Sequence, residues 1–415
     1  MVTIVGNDRK NVLFLLRAYN DLDHIAPIVW KMSSVSIPTF YMFVDEEFRE
    51  DYRVKYFSKS GAREIHNSLL DQYYNNLRKT LRWPILIKLF DRVFSRLLGS
   101  RFLIENRIGV VVAEWGGPDG KGKMPFVLRP ARRLGIPTVA VPHGYHTWYN
   151  NDFNAATAMA IKKTRLLPQL TNRNLYTNYI VQSENIKRYC IESGIKKEKL
   201  HVLGSARFCK EWSIINRNLC AQAHPQRRDL SRPVVVFFLN HWTYNVDRKR
   251  CINLIKRLSE EDIELIVKGH TRGVTTGTLT QVEEAILEKT GNISFAGPET
   301  HSPALVELAD VVIVYGSSIC FEALRQRKLV CRPLFLCTNN TIFEGSGLVY
   351  EARSDEEVIA YVCNYEIERE KSIDETVLEE FFDTHVENKN MKDGVLQEYV
   401  NLICSSFNKE VEPKH

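Results

Sequence analysis

Pro233-Val-Val-Val-Phe-Phe-Leu239 decides the fold. An unbroken apolar run after a proline suits a parallel strand covered on both faces, not a half-exposed alternating one. The stretch before it, from Cys209 to Arg232, loses clear periodicity and gathers His224, Pro225 and the adjacent arginines Arg227 and Arg228. A new domain is therefore expected to open at Pro233, with 209–232 as the linker. Downstream the rhythm repeats. A helix near Val246 to Leu258 precedes a strand at Ile263-Glu-Leu-Ile-Val267, and a helix near Val282 to Lys289 precedes one at Val311-Val-Ile-Val314. A helix from Ile319 to Arg325, a strand from Val330 to Leu334 and a helical tail follow.

Upstream the same alternation predicts a first domain. Asn11-Val-Leu-Phe-Leu-Leu16 reads as a strand, followed by a helical pattern at Ile25, Ile28, Val29 and Met32 and a strand from Thr39 to Val44. Ile108-Gly-Val-Val-Val-Ala113 and Pro137-Thr-Val-Ala-Val141 flank a helix around Phe126 to Leu134. Tyr179-Ile-Val-Gln182 and Leu200-His-Val-Leu203 flank a helix from Glu184 to Ser193, capped by Gly194. The spacing fits right-handed crossovers. The expected architecture is thus two Rossmann-like, doubly wound α/β domains, 1–208 and 233–370, facing a central cleft, with a tail over 371–415. Open sheets of this kind bind ligands outside the carboxyl ends of their strands.

At 415 residues the chain is long enough for two such cores, and 44% hydrophobic with 26% charged residues excludes disordered and fibrous classes. Its nine cysteines include no C-x-x-C pair and no metal-finger spacing, so free thiols and a reducing compartment are expected. With neither a signal-peptide pattern nor a spanning apolar stretch, a cytoplasmic location is expected.

Two loops at the ends of second-domain strands carry the strongest chemistry. One is Lys268-Gly-His270-Thr-Arg272, with two cations and an imidazole. The other is Tyr315-Gly-Ser317-Ser318, which enters a helix bearing Glu322. Small residues, two hydroxyls and a helix N-terminus suit a phosphate, and Glu322 suits a ribose diol. The same sequences also read as a plain N-cap and a solvated loop. In the first domain, Glu114 follows one strand and His143, within Val141-Pro-His-Gly144, follows its neighbour. Either can take a proton from an acceptor hydroxyl, while a turn hydrogen bond equally accounts for the histidine. Asp152, after Tyr145, Trp148 and Tyr149, is a weaker candidate. Ser205, Arg207 and Asn240 are expected near the hinge and the donor phosphates.

Charge is uneven. Between Arg78 and Arg101 seven basic residues face one acid, Asp91, an excess equal to the whole-chain +6. Leu86, Leu89, Phe90, Val93, Phe94 and Leu97 fall at helical spacing opposite Lys88, Arg92 and Arg96. This amphipathic cationic helix fits peripheral contact with an anionic membrane, or a core helix with a solvated basic face. No nucleic-acid reader motif accompanies the charge.

Val141-Pro-His-Gly144, Ile180-Val-Gln-Ser183, Val202-Leu-Gly-Ser-Ala-Arg207, Lys268-Gly-His-Thr-Arg272 and Tyr315-Gly-Ser-Ser-Ile-Cys-Phe-Glu-Ala-Leu324 together resemble bacterial surface-polysaccharide glycosyltransferases of the GT-B fold. These are the capsule and lipopolysaccharide Kdo transferases and, more distantly, sialyltransferases and CDP-glycerol glycerophosphotransferases. The resemblance runs from about residue 108 to residue 350. It implies that His270 with Lys268, and Ser317 with Ser318, hold a cytidine nucleotide and its phosphate. It also implies a catalytic carboxylate, which maps most naturally onto Glu114, with Asp152 as the alternative, acting as base or as nucleophile. Thr271, where the family has proline, is a departure.

The implied reaction is transfer of a sugar from a nucleotide-activated donor, CMP-Kdo or a similar CMP-acidic sugar, to a glycan or lipid-linked glycan acceptor. No cofactor or metal is expected, since protein cations neutralise the leaving phosphate, and no Asp-x-Asp metal motif is expected in the chain. The alternatives are a CDP-glycerol or CDP-ribitol type polyol-phosphate transferase, a UDP-sugar 2-epimerase and a non-catalytic nucleotide-sugar-binding subunit.

Overall fold

The structure is a computed structural model that describes residues 11–45, 47–80, 83–118, 122–223, 232–270, 278–289, 291–297, 300–371, 373–389, 391 and 393–407. It forms two units, each with one parallel sheet.

Unit 1 holds β1 (Asn11–Leu16), β2 (Thr39–Phe43), β3 (Arg63–Glu64), β4 (Ile108–Glu114), β5 (Thr138–Val141), β6 (Asn178–Val181) and β7 (Leu200–Val202). They lie in the order β3-β2-β1-β4-β5-β6-β7, all parallel. Every residue of β4 is buried, which is why its sequence is continuously apolar up to its last position. The order changes direction between β1 and β4, the switch point at which such sheets open a crevice at their carboxyl edge.

Unit 2 holds β8 (Val234–Phe238), β9 (Glu264–Lys268), β10 (Ile293–Ala296), β11 (Val311–Ile313), β12 (Leu329–Pro333) and β13 (Tyr350–Ala352) in the order β10-β9-β8-β11-β12-β13, again all parallel. Its switch point falls between β8 and β11, so the loops after Phe238 and Ile313 flank one crevice. Each unit is thus a Rossmann-like layer structure, and the pair is the GT-B fold. The nine cysteines are all free thiols, seven of them buried.

The chain divides differently from its expected boundaries in three places. The expected linker begins with a helix, Lys210–Ala223, whose Trp212 is buried in unit 1 against Trp30 at 5.9 Å and Tyr56 at 6.4 Å. Residues 146–168, expected in the first domain, belong to unit 2. There Thr147 Oγ1 donates to the Gly316 carbonyl at 3.1 Å and Trp148 bridges to Thr341. The expected tail is shared. Helix Glu375–Phe382 packs its phenylalanines on Phe321 in unit 2, whereas the chain from His385 onward belongs to unit 1. In unit 1 helix Val395–Ser406 packs on helix Tyr19–Ser34, and Tyr399 Oη donates to the Gly204 carbonyl at 3.0 Å.

Candidate active site

At the carboxyl edge of the unit 1 sheet, β1, β4 and β5 bring four polar residues together. β4 ends on Glu114, which is 1% exposed. Its Oε1 lies 2.8 Å from Nη2 of Arg17, the residue just after β1. Its Oε2 lies 3.2 Å from Nδ1 of His143, on the turn after β5, and accepts the Gly116 N–H at 2.6 Å. A Cβ at Gly116 would meet Oε1 at 2.2 Å, so only glycine lets the backbone close over the carboxylate. Gln182, after β6, donates from Nε2 to the Gly144 carbonyl at 3.1 Å and fixes the His143 turn.

The fourth member is Asp21, in the first turn of helix Tyr19–Ser34. Its Oδ2 accepts the backbone N–H groups of Arg17 at 2.8 Å and Ala18 at 3.1 Å. Its Oδ1 stands 3.9 Å from His143 Nδ1 and has no hydrogen-bond partner among the described residues. Burial, and then the charge of Glu114, push the Asp21 carboxyl up to about 7, against the two backbone N–H groups that favour its charged form. Two buried carboxyl groups thus back one imidazole, whose side chain is 28% exposed. His143 and Arg17, whose side chain is 33% exposed, are the two members that reach solvent, and Glu114 contacts both.

This differs from the expected placement of Glu114: the carboxylate is buried against Arg17, His143 and the Gly116 N–H rather than presented to a crevice. The sequence reading missed Arg17 and Asp21, because the helical pattern drew attention to Ile25 and its apolar partners. The available signal was an arginine and an aspartate within five residues of a strand's carboxyl end.

Asp21-Leu22-Asp23 does spell Asp-x-Asp. The helix turns the two carboxylates to different partners, however. Asp23 bonds the Arg53 guanidinium and Arg207 Nη1, the latter at 2.8 Å. Among the described residues no group of His, Cys, Asp and Glu is placed to hold a metal ion. Arg207, expected on the donor phosphate, is engaged in that ion cluster and stacks on Phe208 at 4.9 Å. Ser205 is fully buried, and its N–H donates to the Val386 carbonyl at 2.8 Å.

In unit 2 the expected loops do meet at the carboxyl edge of one sheet, with altered roles. Lys268 is 3% exposed and spends its ammonium on the Gly297 carbonyl, after β10. Tyr315 is also buried, and its Oη accepts the Asn240 N–H at 3.0 Å. Both are framework rather than open contacts. Among the described residues this edge presents His270, edge-on to His241 at 5.7 Å, and the half-buried Ser317 and Ser318. Ser317 Oγ accepts the Ile319 N–H at 3.3 Å, and Glu322 is buried in its helix. Asn240 is 5% exposed, and its Nδ2 lacks a hydrogen-bond partner among the described residues. Arg272 lies outside the described residues.

The aromatic patch after Tyr145 splits. Trp148 covers Gly316, where a Cβ would meet the indole at 1.9 Å, and stacks on Tyr244 at 5.9 Å. Tyr145 Oη donates to the His385 carbonyl at 2.6 Å in unit 1, and Tyr149 and Asp152 are exposed.

No family model and no curated protein matches the chain. Solved structures do. The UDP-GlcNAc 2-epimerase of Methanocaldococcus jannaschii superposes with a TM-score of 0.57 at 13% identity, over 95% of this chain and 99% of that one. The UDP-GlcNAc 2-epimerase of Neisseria meningitidis, bound to UDP-GlcNAc, gives 0.55 at 14% identity over 95% and 100%. A glycosyltransferase of Rickettsia africae gives 0.55 at 11% identity over 97% and 100%. The shared property is the fold.

Proposed function

We propose that the chain is an enzyme acting on a nucleotide sugar, with His143 as its acid–base group and a UDP-sugar as its substrate, in a 2-epimerase type of reaction. The observation that carries this reading is the cluster of His143 with the buried Glu114 and Asp21. Inverting a ring carbon that bears hydrogen needs its proton removed while the C–H electron pair expels the nucleoside diphosphate from the neighbouring anomeric carbon, and then a proton delivered to the opposite face as the diphosphate adds back. His143 is the group placed to take the first proton near neutral pH. The likeness to two UDP-GlcNAc 2-epimerases supports the choice of reaction. His270, His241, Ser317, Ser318 and Asn240 are the nucleotide contacts of unit 2, with Asn240 Nδ2 a donor for a nucleotide oxygen.

A second reading is glycosyl transfer, with CMP-Kdo or a related CMP-acidic sugar as donor. It is favoured by the Lys-Gly-His and Gly-Ser-Ser motifs and by the likeness to the Rickettsia glycosyltransferase. There His143 takes the proton of an acceptor hydroxyl.

Incubation with UDP-GlcNAc in deuterated buffer, with no acceptor present, tests the first reading. An epimerised sugar carrying one deuterium at C2 is expected. Recovery of unlabelled UDP-GlcNAc, together with thermal stabilisation by CMP but not UDP, would replace it with the second.

A further inference from the structure

We infer that residues 83–97 of unit 1 form a docking surface for an anionic lipid bilayer. Trp83, Ile85, Leu86, Leu89, Val93 and Leu97 all stand exposed beside Lys88, Arg92 and Arg96. Single exposed leucines are ordinary on a soluble protein; large apolar side chains adjoining along one helix are not. Trp83 is 70%, Ile85 79% and Leu97 60% exposed.

The helix does have a core side, so its outer face is not an unpacked inner one. Phe94 stacks on Tyr73 at 4.2 Å, and Asp91 accepts from Tyr73 Oη at 2.6 Å and pairs with Arg78 at 3.2 Å. A Cβ at Gly99 would meet the Phe126 carbonyl oxygen at 2.1 Å, so this segment lies hard against helix Pro125–Arg133. In the α-helix Pro84–Phe94, at about 100° per residue, Leu86, Leu89 and Val93 fall on a second face and Lys88 and Arg92 on a third, and Arg96 and Leu97, in the π-helical turn Ser95–Gly99 that follows, are exposed as well. Apolar stripe and cationic stripe therefore run side by side, both turned to solvent.

Charge selects the occupant. Helix Pro125–Arg133 adds Arg129, Arg132 and Arg133 to the same cationic field. The Arg133 guanidinium is held below its ordinary value by burial and then by Arg96, Arg129, Arg92 and Arg132. The one acid of the helix, Asp91, is already bound on the core side. A second copy meeting this face across a two-fold axis would set these cations against themselves. A polynucleotide would satisfy the arginines and leave the apolar stripe in water. An anionic bilayer satisfies both stripes, its headgroups the arginines and its acyl boundary the apolar residues. No helix among the described residues is long and apolar enough to span a membrane, so the contact is peripheral.

The test is sedimentation of the full chain with phosphatidylcholine vesicles and with equimolar phosphatidylcholine–phosphatidylglycerol vesicles, at low and high salt. Arg92→Ala/Arg96→Ala and Leu89→Ser/Val93→Ser serve as variants. All four positions are exposed, so both variants should melt like the wild type, which a thermal scan checks. Binding to the anionic vesicles only is expected, weakened by salt and reduced about tenfold or more in the arginine variant. The leucine–valine variant should fall comparably, and a blue shift of indole fluorescence on binding should vanish in Trp83→Phe. Absence of binding to anionic vesicles overturns the proposal, as does binding that neither variant changes. A dimer that Leu89→Ser/Val93→Ser converts to monomer, without vesicle binding, also overturns it and assigns the face to a second copy. Tighter binding to single-stranded oligonucleotide than to anionic vesicles overturns it in favour of nucleic acid.

Discussion

His143 Nδ1 lies 3.2 Å from Glu114 Oε2, while the other oxygen of the same carboxylate lies 2.8 Å from Arg17 Nη2. One buried carboxylate therefore fixes both the ring orientation of an accessible histidine and the cation beside it. Nδ1 is the ring nitrogen that faces the carboxylate, and the charge there favours a proton on that nitrogen.

Replacing Glu114 tests this arrangement. Glu114→Gln keeps the volume and one acceptor but removes the charge that orients and supports the imidazole. Turnover should fall by about a hundredfold or more with KM little changed, the scale of acid–base contributions. His143→Ala should fall at least as far, and the double variant no further, because the two act as one unit. Steady-state kinetics of the three variants decide the matter. Additive losses would mean that Glu114 works independently of the histidine.

Asp21 gives a pH dependence with a definite sign. Its carboxyl is pushed from 3.8 up to about 7 in the folded protein, so the native state holds a proton that the unfolded chain has lost. Stability on this account is greatest below pH 4 and declines as pH rises from about 4 to about 7. Asp21→Asn removes the titration. Relative to wild type it should gain stability at pH 8, on the order of 4 kcal/mol at about 1.4 kcal/mol per unit, and nothing at pH 4. Denaturant melts at the two pH values measure the difference. An equal change at both would assign the effect to packing.

Much of the fold was legible because a parallel strand buried on both faces has to be apolar throughout. Asn11–Leu16, Ile108–Glu114 and Val234–Phe238 all announce themselves in that way. Two strands at sheet edges did not, unlike Leu200–Val202, which is also at an edge but was legible. Arg63–Glu64 has two residues and no apolar run, and Ile293–Ala296 is only partly buried, so neither carries the pattern. The exchange of 146–168 into unit 2 was hidden for a different reason. It rests on single long-range contacts such as Thr147 to Gly316, which no local period encodes. The candidate site was half legible. Strand ends pointed to Glu114, His143 and His270, yet burial decided what each can do, and it turned Glu114 and Lys268 inward.

Lys268 carries a prediction that separates framework from ligand contact. Its ammonium is buried and bonds the Gly297 carbonyl, tying the end of β9 to the residue after β10. Lys268→Met should lower the melting temperature of unit 2, at a cost of about 1–3 kcal/mol, by leaving that carbonyl without its charged donor. His270→Ala, at an accessible position, should leave melting unchanged and abolish the stabilisation by nucleotide. Thermal scans of both variants with and without UDP distinguish the roles. An unchanged melting temperature in Lys268→Met with loss of the nucleotide response would make the lysine a ligand contact after all.

The C-terminal helix Val395–Ser406 should prove essential to unit 1 rather than appended to it. It buries Val395, Leu396, Tyr399, Val400 and Ile403, and Asn178 of β6 donates from Nδ2 to Ser406 Oγ at 2.8 Å. At roughly 1.5–3 kcal/mol for each fully buried side chain, its removal forfeits on the order of 10 kcal/mol. That is comparable with the whole stability of an ordinary domain, about 5–15 kcal/mol. A chain ending at Gly394 should therefore lose protection from hydrogen exchange in β1 and β6 while β8 and β11 keep theirs. Tyr399→Phe, which removes only the hydroxyl donated to Gly204, should cost about 1 kcal/mol and leave the protection pattern intact. If the truncated chain retained wild-type protection in β1, the helix would be dispensable and the packing argument for it would fail.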